Sequence, residues 1–263
     1  MNHSISKIEN DVQDRNSLAW KKLCVYVDQL AESGEEEFSP RDVLGAELFS
    51  TIFTLPESIS KLNKVRKISL YGSKLKRIPP AIGSMKSLEY FDAYTSYDLH
   101  WLPYEIMNCT KLISSRISTR ALYGNYKNRM GFPKLDRNPI NYDCDVLRCS
   151  ICKKQIANDD VNQLWISLRV GTDVLPLLVN SCSKQCEEKL PKPPENYVQF
   201  AHKGGSSLQQ PPDQNELWEI EERTREKNDA KLTDIAIPTV PTVGNNFANK
   251  FEPLKLIKKI WER

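Results

Sequence analysis

Histidine and glycine are both scarce in this chain: 263 residues hold three His and ten Gly. With His3, His100 and His202 so far apart, few positions can supply a general base near neutral pH. There is no G-x-S-x-G, no P-loop and no Rossmann glycine pattern, which removes the common nucleophile elbows and phosphate cradles. No stretch approaches 18 apolar residues, so no membrane span is expected. The opening MNHSISKIENDVQDRN lacks an apolar h-region, so no signal peptide is read there and a cytoplasmic location is expected. Net charge is only +3, which by itself demands neither nucleic acid nor membrane as a partner. The chain is therefore read as a non-enzyme.

What is present divides into segments. Residues 1–13 read as a disordered tail. Residues 14–42 read as a helical cap, because Trp20, Leu23, Cys24, Val27 and Leu30 recur at three- and four-residue steps and Gly34 can stop the helix. Residues 43–136 carry a repeat, and residues 144–205 carry two close cysteine pairs. Residues 206–263 are rich in Pro steps, with helical stretches over Asp213–Leu232 and in the terminal FEPLKLIKKIWER.

The repeat emerges by aligning leucine-like positions. One copy runs Val65, Ile68, Leu70, Leu75, Ile78-Pro79, Ile82, Met85. The next runs Leu88, Phe91, Ala93, Leu99, Leu102-Pro103, Ile106, Cys109. A third, Leu112, Ser115, Ile117, Leu122, then loses the pattern in GNYKNRMGFPKLDRNP, which reads as an irregular exit. A looser first copy runs Val43, Ala46, Leu48, Phe53, Leu55-Pro56, Ile59, Leu62. The starts lie 22, 23 and 24 residues apart, a period that signals stacked coils. One such coil cannot bury its own apolar side, and stacking joins those sides into one core. The Leu/Ile-Pro step suits the first turn of a return segment, since Pro presets φ.

This pattern resembles leucine-rich repeats of the L-P-x-x-I-x-x-L subclass found in bacterial and plant intracellular proteins. The resemblance implies an α/β fold, a short leucine-rich-repeat solenoid, with the N-terminal helical cap before it; a small α+β module, zinc-stabilised if its cysteine pairs hold a metal, and a partly extended, partly helical tail follow. The chain departs from the family where Asn is preferred, having Ser73, Ser96 and Arg120 there, which puts the usual polar ladder in question. Some bacterial effectors of this subclass carry a C-terminal ligase domain with a Cys nucleophile. Here the region after the repeats is too short for one, and its cysteines pair at metal spacing.

Strand alternation then sorts the faces. With Ile68 and Leu70 inward, Lys67, Ser69 and Tyr71 point outward. So do Tyr90, Asp92 and Tyr94 in the next copy, and Ser114, Arg116 and Ser118 in the third. The loose first copy would expose Gly45, Glu47 and Phe49. Neighbouring strands lie about 4.8 Å apart, so these positions form ladders: Phe49, Tyr71, Tyr94, Ser118, and Glu47, Ser69, Asp92, Arg116. Aromatics beside charges have the composition of a protein-binding hot spot. The plainer reading is that the rings cover one another across the sheet. Lys67, Tyr71, Tyr90, Asp92, Tyr94 and Arg116 are the candidate partner-binding residues, and a protein partner is expected.

A nucleic-acid alternative rests on a basic run. No acid falls between Glu57 and Glu89, where Lys61, Lys64, Arg66, Lys67, Lys74, Lys76, Arg77 and Lys86 lie. Together with Lys153, Lys154 and Arg169 these could contact phosphates. A solvated surface is the plainer reading.

Cys149-Ser-Ile-Cys152 and Cys182-Ser-Lys-Gln-Cys186 flank QLWISLRV, Gly171-Thr-Asp and VLPLLVNS, which read as a β-hairpin. Knuckle, hairpin and a helix start bearing two thiols resemble a treble-clef zinc finger. Four thiolates close a tetrahedral shell around zinc, leaving no open position, so the site is expected to be structural. Cys149, Cys152, Cys182 and Cys186 are the expected ligands. Cys144 is an alternative to Cys149, and His202 is a weaker rival. Cys24 and Cys109 occupy apolar pattern positions and read as core. His202-Lys203-Gly204-Gly205 reads as either an ordinary turn or an anion-binding nest, the turn being the plainer.

Overall fold

Ser17 starts the first helix. In the computed structural model, which describes residues 13–135, 140, 146–157 and 160–233, its hydroxyl accepts the Trp20 N–H and caps helix α1 (Leu18–Ser33). Gly34, at φ 72°, ends that helix in the left-handed conformation that glycine adopts without a Cβ penalty. The inward stripe of Trp20, Leu23, Val27 and Leu30 closes the first end of the apolar core.

The chain divides into two units, Met1–Ile220 and Glu221–Arg263. In the first, strands β1 (Glu37–Phe38), β2 (Lys67–Ser69), β3 (Tyr90–Ala93) and β5 (Ser114–Ile117) form a parallel sheet in the order β1-β2-β3-β5. The Pro steps open 3-10 turns at Glu57–Lys61, Pro80–Ser84 and Tyr104–Asn108. Strands and turns together wrap a continuous core. Ile68, Leu70, Leu75, Ile78, Ile82, Leu88, Phe91 and Leu99 are all at most 1% exposed, and each such side chain stabilises the fold by about 1.5–3 kcal/mol.

The loose first copy differs from the sequence reading. Residues Pro40–Leu44 and Ala46–Phe49 are short helices, α2 and α3, and Phe49 is buried. The strand in register with Lys67 is Glu37–Phe38, which puts Glu37 where Gly45, eight residues later, was expected. Pro40 favours a first helical turn, and Gly45, at φ 81°, kinks the chain between the two helices. The apolar spacing of Val43, Ala46 and Leu48 therefore belongs to helix faces. The expected outward positions Gly45, Glu47 and Phe49 leave the strand ladder.

The departure from Asn is met by serines. Ser73 and Ser96 hydroxyls lie 2.7 Å apart, Ser96 Oγ accepts the Ser73 N–H, and it donates to the Leu70 carbonyl. Ser118 Oγ accepts the Thr95 N–H at 2.8 Å. The third rung is thus Ser118, two residues before the expected Arg120. A hydroxyl carries both donor and acceptor capacity, so it satisfies buried backbone groups as a carboxamide would.

The cysteine-rich region shares the core of the coils. β6 (Asn162–Val170) and β7 (Asp173–Ser181) form the antiparallel hairpin, and β7 pairs parallel with β4 (Leu102–Pro103), the Leu-Pro step of the second copy. Alternation splits the hairpin's two faces. Leu164, Ile166, Leu168, Leu175, Leu177 and Val179 join the coil core, while Trp165 and Leu178 pack with Trp101, Tyr123, Phe132, Leu135 and Ile140. Both faces are covered, which explains the nearly unbroken burial of these strands. The segment around His202 bridges Trp165 along the outer side of β6. Residues 43–135 and the hairpin thus share one core, where the sequence reading had successive modules.

Helix α5 (Gln214–Thr233) begins with a reciprocal cap: Asp213 Oδ1 accepts the Asn215 and Glu216 N–H groups, and Glu216 Oε2 accepts the Asp213 N–H. The tail before Gln13, Cys144 and the terminal FEPLKLIKKIWER lie outside the described residues. Among the described residues, no helix is long and apolar enough to cross a membrane.

Candidate metal centre and recognition face

The four expected cysteines meet at the base of the hairpin. Their sulfurs all lie within 4.8 Å of one another, with Cys152–Cys182 at 3.5 Å and Cys182–Cys186 at 3.7 Å. Local structure places each pair. Around the first, Lys153 takes φ 65°, its N–H bonds the Cys149 carbonyl, and the Cys149 N–H bonds Lys154, making a tight knuckle. The second pair follows β7, where Ser183 caps the short helix α4 (Lys184–Glu187) by accepting the Cys186 N–H. Ser150 clamps the knuckle to β7: its N–H donates to the Asn180 carbonyl at 2.7 Å, and its Oγ accepts the Asn180 N–H at 3.0 Å.

Four sulfurs about 2.3 Å from one ion would sit about 3.8 Å apart, close to the separations found. They are far beyond the about 2.05 Å of a disulfide. The electrostatics favour charge on Cys149 and disfavour it on Cys182. Burial pushes the Cys149 thiol up, but the N–H groups of Cys152, Ile151 and Cys182 directed at it outweigh that and bring it down to about 6. Hydrogen bonding with Cys152, then Cys149, holds the proton on Cys182, pushed up to about 12. The group can hold a metal ion.

His202 is not part of this cluster. It is buried, its Nδ1 accepts the Gly204 N–H at 3.1 Å, and its ring meets Phe132 edge-on with centroids 4.6 Å apart. Burial pulls its pKa down to about 4. The Gly205 N–H bonds the Phe132 carbonyl. Both glycine donors are thus committed inside the protein, and the segment is the ordinary turn. Cys109 is buried with Sγ 3.2 Å from the Ile82 carbonyl, as a core residue should be. His100 stacks on Tyr123 and bonds the Ala121 carbonyl, a packing role.

On the outward face of the coil sheet, the register is Lys67↔Tyr90↔Ser114 and Ser69↔Asp92↔Arg116. Tyr71 and Tyr94 are 42% and 40% exposed, with ring centroids 6.2 Å apart. The Arg116 guanidinium lies 4.6 Å from the Tyr94 ring and 6.0 Å from Tyr71. From the other side of the sequence, Arg41 sits 5.7 Å from the Tyr71 ring and donates to the Tyr71 carbonyl at 3.3 Å. Nothing in the sequence pattern pointed to Arg41, because the strand of its coil lies outside the aligned copy.

Three expected face residues behave differently. Asp92 is 7% exposed: its Oδ1 accepts the Tyr94 N–H at 2.9 Å, and its other oxygen lies 3.6 Å from Arg116. It orients the strand end and the arginine rather than offering a free charge. Tyr90 is only half exposed, and Lys67 pairs with Glu37 at 2.8 Å.

Acids from outside the basic run answer several of its members. Lys61 meets Asp28, Arg66 meets Glu36 and Glu89, and Lys74 meets Asp98. Lys86 reaches the Asn108 carbonyl, and Arg77 is buried. A stripe for nucleic-acid phosphates would need such cations free and aligned, and several of these have partners within the protein.

No protein-family model matches the chain, and no curated protein matches it. Among solved structures, a leucine-rich-repeat protein of Leptospira interrogans aligns with 32% of this chain at 22% identity and a TM-score of 0.24. The aligned part spans a quarter of that protein's length. So slight a likeness carries no argument, and the reading below rests on the residues themselves.

Proposed function

We propose that the coil stack is a leucine-rich-repeat solenoid and that the chain is a non-enzymatic module recognising a protein partner through its outward strand face. One observation carries this: Tyr71 and Tyr94 stay substantially exposed side by side, flanked by Arg41 and Arg116. Tyr and Arg dominate binding hot spots because they combine large contact area with directed polar groups. The four-cysteine centre binds zinc in a structural role. It fixes the base of the hairpin whose other end closes the coil stack. Four thiolates fill the coordination shell and leave no position for a reacting water.

The test is purification of crosslinked complexes from the native host, comparing wild type with a folded Tyr71→Ala, Tyr94→Ala, Arg116→Glu variant. The reading expects loss of a specific protein from the variant. An unchanged set, or one dominated by nuclease-sensitive material, would contradict it.

A further inference from the structure

The hairpin tip narrows how a partner can engage the coil sheet. Thr172 occupies the outer side of β5: its Oγ1 accepts the Ser115 N–H at 3.2 Å and donates to the Ser115 carbonyl at 2.9 Å. Those are the groups an added strand would need, so β-augmentation at this edge is blocked. At this end of the sheet, binding uses side chains projecting from the face, across the strands.

Charge then selects among partners for that face. Lys67 is answered by Glu37 at 2.8 Å, whereas Arg116 is 53% exposed and meets Asp92 through one nitrogen at 3.6 Å, Asp92 being held by the Tyr94 N–H at 2.9 Å. Arg41 uses one nitrogen on the Tyr71 carbonyl and lies near that ring, with no carboxylate within ion-pair distance among the described residues. A guanidinium held near an aromatic ring keeps its edge N–H donors available, and its fork matches a carboxylate. The distances from Arg41 and Arg116 to the Tyr71 ring keep the two guanidinium carbons within about 12 Å, the reach of three to four extended residues.

Resting on the reading of this face as the recognition surface, we infer that its partner element is an extended acidic peptide segment. Two Asp or Glu side chains, at most about four residues apart, meet Arg41 and Arg116, and the intervening chain lies over Tyr71 and Tyr94. Arg41 is on this account a specificity residue.

The probe is a random dodecapeptide display library selected on the full chain, with three immobilised variants in parallel: Arg41→Glu with Arg116→Glu, Tyr71→Ala with Tyr94→Ala, and Arg116→Lys. Retained circular dichroism and melting establish that each variant folds. The expected result is enrichment of peptides with paired Asp or Glu, at least tenfold weaker binding to the charge-reversed variant, and partial retention by Arg116→Lys. Enrichment that depends on the tyrosines but shows no acidic bias would overturn the acidic partner and leave the face intact. Enrichment indifferent to all three variants, or none at all, would overturn both.

Discussion

Ser115 and Thr172, 57 residues apart in sequence, hydrogen-bond each other in both directions, Ser115 N–H to Thr172 Oγ1 and Thr172 Oγ1 to the Ser115 carbonyl. Ser115 Oγ also reaches Asp173 at 2.7 Å. One turn residue thus closes the last strand of the coil stack, while the cysteine centre ties the hairpin at its far end. Replacing Thr172 with Val keeps the shape and removes these bonds. Denaturant unfolding should show a loss of about 0.5–1.5 kcal/mol, since two half-buried backbone groups lose their partner. An unchanged midpoint would mean that the tip does not hold the edge.

Metal binding should follow the four sulfurs. Cys149→Ser with Cys182→Ser should abolish stoichiometric zinc in elemental analysis of the purified protein and lower the melting temperature. The melting loss should exceed that of Cys24→Ser, whose thiol lies in helix α1, away from the cluster. Unaltered metal content would refute the centre.

The coil register is tested at Leu70, which is fully buried. Leu70→Asp buries a charge with no partner, a cost of at least several kcal/mol against a typical total stability of about 5–15 kcal/mol. Far-ultraviolet circular dichroism should show an unfolded or aggregated product. A natively folded one would place Leu70 on the surface.

Acid should weaken the fold through His202. Its folded pKa, about 4, lies below the ordinary histidine value, because burial disfavours the imidazolium. The unfolded chain therefore binds the proton first, and stability rises with pH between about 4 and 6.5, by up to about 1.4 kcal/mol per unit. Above that window both states are neutral and the effect vanishes. His202→Gln should flatten this part of the stability profile relative to wild type. Equal slopes in the two proteins would argue against it.

The serine ladder makes a sharper claim about the departure from Asn. Ser96→Ala removes the hydroxyl that bridges Ser73 and the Leu70 carbonyl and leaves only the direct Ser73 N–H to Leu70 carbonyl bond, so it should cost about 0.5–1.5 kcal/mol in denaturant unfolding, the worth of an ordinary hydrogen bond. Ser96→Asn, whose carboxamide can both accept and donate at this place, should be tolerated far better.

Most of the coil stack was legible because burial imposes a period on Val65 through Leu122. The cysteine pairs were legible because metal geometry imposes a spacing. The first coil was not. Pro40 and Gly45 redirect the chain into short helices, and apolar residues at helical spacing imitate a loose repeat copy. Position-by-position alignment likewise missed Ser118 as the third rung, since it stands two residues before the expected position. Asp92 was misjudged for a different reason. Alternation tells which way a side chain starts, but a short acid at a strand end bends back to its own backbone. Arg41 and Thr172 reach their places through contacts of 30 and 57 residues' separation, which no local pattern encodes.

The most direct measurement is site-specific photocrosslinking in the native host. A benzophenone amino acid replaces Tyr94 on the strand face or, in a second protein, the exposed Ser60 on the return side of the coils. A discrete protein adduct from position 94 and none of the same size from position 60 is what recognition through the strand face predicts. Absence of any adduct at 94, or the same adducts from both positions, would contradict it.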